Sequence, residues 1–180
     1  NRRATCIMEV RVPVRSTAAI GALGAIAGEL VRDGVPYFRG LDLGWARRPE
    51  EALKALGAAM AASGAVGLYH VEGTTPEAGI PDILPAGVPT FTIHDLSAGY
   101  QKLNDPLEEI DLVSLGCPHA SLEELTEIAR FLASKRVRTR LWITAARQVR
   151  EQAENAGTLA QIEAAGGQVI ADTCVIVAPV

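Results

Sequence analysis

Residues 110–125 read Ile110-Asp111-Leu112-Val113-Ser114-Leu115-Gly116-Cys117-Pro118-His119-Ala120-Ser121-Leu122-Glu123-Glu124-Leu125. The run Ile110 to Leu115 is short and rich in β-branched and aliphatic residues, as in a sheet strand. Ser121 with Glu124 makes a capping box, and Leu122, Leu125, Ile128 and Leu132 recur at helical spacing, so a helix begins at Ser121. A strand passing through a short loop into a capped helix is one β–α unit, the repeating piece of α/β folds.

The same alternation extends in both directions. Strands are predicted near Ala4–Val14, Val66–His70, Thr90–His94, Thr139–Ile143, Gln168–Ala171 and Val175–Val177, with helices between them. Pro49 followed by Glu50 and Glu51 starts a helix, because proline fits the first turn and carboxylates favour the positive end of the dipole. Leu53, Leu56 and Met60 then line one face. Gly73–Pro89 holds four prolines and reads as a long loop. The expected fold is α/β, a mostly parallel sheet with helices packed against it, and residues 1–180 form a single domain. A chain of 180 residues that is 48% hydrophobic has ample material for one core.

Composition excludes several classes of function. Net charge is -4, aromatics are 4% and the basic residues form no long block, so no nucleic-acid partner is expected. The most apolar stretch, Thr17–Val31, contains Glu29 and is shorter than the ~18 residues of a membrane-spanning helix. Three cysteines without a Cys-x-x-Cys pair point to thiol or metal chemistry in a reducing compartment, hence a cytoplasmic protein. Asn1-Arg2-Arg3 leads straight into an apolar strand and reads as a fragment boundary, not a signal peptide.

In open α/β sheets, ligands bind beyond the carboxyl ends of the strands, where loop amides and helix N-termini converge. His70, His94, Cys117, His119, Asp172, Thr173 and Cys174 all follow or close predicted strands, and are expected on one edge. A thiol placed just before a capped helix is favoured as thiolate, which suits either metal ligation or a Cys–His nucleophile. Soft thiolates at Cys117 and Cys174 suit an iron–sulfur cluster or zinc, but two ligands do not close a site. Cys6, inside the first strand, reads as a core residue. Gly21, Gly24 and Gly28 lack the dinucleotide spacing and read as a close helix contact. No residue can be named as the catalytic base.

Leu115–Leu125 and Asp172-Thr173-Cys174 resemble the two cysteine motifs of aconitase X catalytic subunits, and their spacing suits that family. Ala55–Val66 and Gly73–Ala78 give weaker support, and the similarity runs through essentially the whole chain. The resemblance implies one domain of an aconitase-like hydro-lyase that dehydrates a small hydroxy acid. Cis-3-hydroxy-L-proline is the preferred substrate, and a phosphomevalonate dehydratase large subunit is the alternative. It further implies Cys117 and Cys174 as two of three cluster ligands, the third lying upstream. A four-iron cluster is expected, with a two-iron form as the alternative. His119, Ser121, Asp172 and Thr173 would line the cluster or substrate, and a small swivelling domain or subunit would close over it. The rival from another class is a non-catalytic α/β ligand-binding or interaction domain whose cysteines are buried and inert.

Overall fold

The computed structural model describes residues 2–175 and 177. These fall into two compact units, Asn1–Pro106 and Leu107–Val180. The first contains β1 (Cys6–Val10), α1 (Thr17–Val31), β2 (Pro36–Arg39), α2 (Pro49–Gly64), β3 (His70–Val71), β4 (Thr90–Ile93) and α3 (Ser97–Lys102). Its sheet has the order β3-β2-β1-β4, parallel throughout. The second contains β5 (Leu112–Ala120), α4 (Leu122–Leu132), β6 (Arg140–Ala145), α5 (Arg147–Asn155), α6 (Thr158–Ala164) and β7 (Gly167–Ala171). Its sheet, β5-β6-β7, is also parallel.

The α/β class and parallel pairing agree with the sequence reading, whereas the single domain gives way to two units. Each sheet has its own core. Met8, Ile20, Leu23, Phe38, Leu56 and Met60 are fully buried in the first, and Leu125, Ile143 and Ile162 in the second. Burying one such side chain stabilises its unit by about 1.5–3 kcal/mol. The division falls at Asn104-Asp105-Pro106-Leu107-Glu108-Glu109, all exposed, where proline and acidic residues give linker composition.

Local chemistry explains the elements. Ser16 Oγ accepts from Ala19 N at 3.1 Å and opens α1. Pro49 opens α2 with Glu50 and Glu51 in its first turn. Ser121 accepts from Glu124 N at 3.2 Å while Glu124 Oε2 accepts from Ser121 N at 2.8 Å, the expected capping box. Three strand expectations change. β2 was not expected, and the Val66–His70 strand shrinks and shifts to His70–Val71. Val175 and Val177 lie in a turn closed by Val177 N donating to Cys174 O, and Ile176 lies outside the described residues. No helix among the described residues is long and apolar enough to cross a membrane.

Candidate functional site at the β5-β6-β7 edge

The carboxyl end of the second sheet is built by an interruption in β5. Leu112–Leu115 pair in register with Arg140–Ile143, and pairing resumes only at Ala120 against Ala145, so five steps of β5 span two of β6. The extra residues leave the ladder as a bulge that exposes Cys117 and His119. Gly116 makes the departure possible. Its φ is +94, and a Cβ there would meet Thr144 Oγ1 at 2.8 Å and Thr144 N at 2.9 Å. Thr144, 2% exposed, donates its hydroxyl to Gly116 O at 2.6 Å, pinning the base of the bulge to β6. The Cys117–Pro118 peptide is cis. Buried Ala120 then returns the chain to the sheet, and Ser121 caps α4.

The β7 loop is held by a second set of bonds. Asp172 N donates to Ala145 O at 3.0 Å, continuing the ladder one step. The Asp172 carboxylate accepts from Arg147 N and from Arg147 Nε, each at 2.8 Å. It thus satisfies a first-turn amide of α5, a position where negative charge is favoured. These bonds, chiefly the Arg147 backbone amide, hold its pKa below the usual carboxylate range, and the nearby His119 adds a smaller Coulombic contribution. Thr173 O lies 2.8 Å from His119 Nε2. Cys174 follows and is exposed.

Cys117, His119, Asp172, Thr173 and Cys174 therefore all stand at the carboxyl end of one three-stranded sheet. Two other residues of the expected edge, His94 and His70, belong to the first unit and its separate sheet. His94 follows β4 in the first unit, and His70 begins β3 instead of ending it. His70 is 1% exposed and donates from Nε2 to Arg2 O at 2.8 Å, so it is a satisfied core residue. Its displacement follows from the ladder, since β3 pairs only through Tyr37↔His70 and Phe38↔Val71. Cys6 is buried in the first unit, and burial pushes its thiol pKa up, away from thiolate chemistry. The buried, inert cysteines of the rival reading describe Cys6 alone, because Cys117 and Cys174 are exposed.

Two free thiols at one sheet end suit a soft metal or cluster as part of a larger ligand set. Among the described residues no group of three or more His, Cys, Asp and Glu could hold a metal ion, so any such group would need ligands beyond these two thiols. A cavity of about 410 Å³ lies elsewhere, between β5 and α4. Its lining is Val113, Leu115, Ile128, Phe131, Leu132, Val137 and Leu141 with only Glu127 and Thr139 polar, so it is mainly apolar and holds neither cysteine nor histidine.

Thr144 and Arg147 are functional supports that the sequence reading missed. Thr144 looks like any β-branched strand residue. Arg147 did carry a signal: a cation opening a helix opposes the dipole unless a carboxylate neutralises it, and Asp172 does so.

A model of the aconitase X second domain matches residues 4–100, and one of the third domain matches residues 110–180. The chain belongs to the aconitase X family. The two matched family domains coincide closely with the two structural units. The phosphomevalonate dehydratase large subunit of Methanothermobacter thermautotrophicus is 42% identical over 183 residues, covering 100% of this chain and 44% of that protein. The cis-3-hydroxy-L-proline dehydratase of Pseudomonas aeruginosa is 39% identical over 163 residues, covering 84% of this chain and 27% of that protein. The holo-form crystal structure of Thermococcus kodakaraensis aconitase X superimposes with a TM-score of 0.89 at 39% identity, over 99% of this chain and 46% of that one. The chain spans about half the length of the phosphomevalonate dehydratase large subunits it matches.

Proposed function

We propose that this chain carries the cluster-binding edge of an aconitase X hydro-lyase, with Cys117 and Cys174 as two ligands of an iron–sulfur cluster. The observation behind this reading is that both exposed thiols stand at the end of one sheet, on loops joined by the His119–Thr173 hydrogen bond. The preferred cluster is the four-iron form, with the two-iron form as alternative. Its third ligand, and the small partner that closes the site, come from outside this chain. The reaction removes hydroxide and a proton from adjacent carbons of a small hydroxy acid, leaving a double bond and water. When bound, the cluster supplies a Lewis-acidic iron that makes hydroxide a better leaving group.

The chain's own contribution is to hold and orient. Ser121 caps α4 and so fixes the end of the loop that carries Cys117. Asp172 and Arg147 fix the loop that presents Cys174. A reducing, cytoplasmic setting suits these thiols.

Cis-3-hydroxy-L-proline remains the first substrate to test. Phosphomevalonate is the second, because relatives of that name align over the whole chain. The test is to assay the complete complex, containing the full large subunit and its small partner, against both compounds. Dehydration of one of them is expected, lost together with cluster absorbance in Cys117→Ser and Cys174→Ser. Turnover of neither compound overturns the reading.

A further inference from the structure

We propose that His119 is a positioning residue, tying the loop of Cys117 to the loop of Cys174 and so setting the separation of two thiolates that bind a soft metal. The inference rests on the cluster reading and assigns a task that the ligand set alone does not. A carbonyl oxygen can only accept, so His119 Nε2, 2.8 Å from Thr173 O, carries the hydrogen. A protonated ring nitrogen has no lone pair for a metal, so this atom is committed to the loop.

The bond's placement gives it leverage. Thr173 directly precedes Cys174, and His119 follows Cys117 by two residues, yet the two ends are 54 positions apart in sequence. The β6–β7 ladder pairs residues only as far as Ala145↔Ala171, and the β5–β6 ladder lapses between Leu115 and Ala120. Both cysteines therefore lie outside regular pairing. Thr144 anchors one loop to β6, and Asp172 anchors the other to β6 and α5. Those anchors fix each loop near its base. The imidazole joins the two loops to each other, through the residue that precedes Cys174.

Groups that hold metal ligands in place, without binding metal themselves, change affinity by about 10- to 100-fold when removed. The test is a Cd²⁺ titration of the full 180-residue chain, read by thiolate-to-cadmium charge-transfer absorbance, with Cys117→Ser and Cys174→Ser as controls. His119→Gln keeps a side-chain N–H able to reach a carbonyl, whereas His119→Leu and His119→Ala do not. Affinity is expected to stay within about threefold in the Gln variant and to fall about 10- to 100-fold in the other two, with circular dichroism unchanged. Leu and Ala variants that bind like the parent would overturn the positioning role. A Gln variant as weak as Leu would overturn it differently, by showing that the imidazole itself ligates. Absence, in the parent chain, of a band that needs both cysteines would instead remove the cluster reading and this proposal with it.

Discussion

Thr144 and Gly116 constrain each other from two directions. The Thr144 hydroxyl donates to Gly116 O at 2.6 Å, while the missing Cβ of Gly116 leaves room for the Thr144 backbone. Thr144→Val removes the donor and leaves a shielded carbonyl without it, a loss of about 1–3 kcal/mol. Thr144→Ser restores the donor and is expected to recover most of that. Gly116→Ala adds both a left-handed backbone penalty and a clash with β6, so it should destabilise at least as much. Denaturant unfolding of the full chain measures all three, and a neutral Gly116→Ala would contradict the packing described.

How much of this was legible in sequence depended on range. The Ser121–Glu124 box is a contact between residues three apart, and it was readable because its partners are neighbours. That Cys117 and Cys174 both fall at the carboxyl end of a sheet followed from a rule about strand ends, which survives small errors in strand boundaries. β2 was hidden because Pro36–Arg39 is four residues long, opens with proline and is largely buried, so it shows no alternation. The two-unit division was hidden for a different reason. Strand–helix alternation looks the same whether successive strands join one sheet or begin another, and pairing is a long-range choice. Only the acidic, proline-containing segment 104–109 hinted at the break.

Asp172 sets an acid limit on this edge. Its folded pKa lies below the ordinary value of 3.8 because Arg147 donates two hydrogen bonds to the ionised form. A depressed carboxylate contributes stability that is present above the unfolded pKa and is lost as pH falls through the folded one. Denaturation midpoints of the parent should therefore fall more steeply than those of Asp172→Asn as pH drops below about 4. Parallel curves for the two proteins would show that the Arg147 contacts contribute nothing in solution.

Ser121 is engaged as a helix cap, which makes a cap the first account of any effect of its removal. Ser121→Ala should destabilise by about 1 kcal/mol, and Ser121→Asp should largely restore stability because aspartate caps as well as serine. Cd²⁺ affinity should follow the same order. A variant with full stability but no cadmium binding would give Ser121 a direct part in the site instead.

The glycines of α1 offer a test in which one substitution should have opposite signs on one helix. Helix α1 packs on α2 where Gly24 and Gly28 face Ala59, Ser63 and Gly64. A Cβ on Gly28 would lie 2.8 Å from Met60 O and 3.1 Å from Gly64 N, with Ser63 Oγ closer still. A Cβ on Gly24 would lie 2.6 Å from that of Ala59. Most of the atoms met at Gly28 are backbone, so relief requires the helices to separate, and overpacking of this kind destabilises by about 1–3 kcal/mol. Replacing glycine by alanine inside a helix contributes up to about 1 kcal/mol in the other direction through backbone entropy. Packing should win at Gly24 and Gly28. At Gly21 the nearest atom is Leu103 Cδ1 at 3.6 Å, an ordinary contact, so propensity should win there. Gly21→Ala is therefore expected to raise the unfolding midpoint, and Gly24→Ala and Gly28→Ala to lower it. A stabilising Gly28→Ala would mean that α1 and α2 do not approach as closely in solution as these distances require.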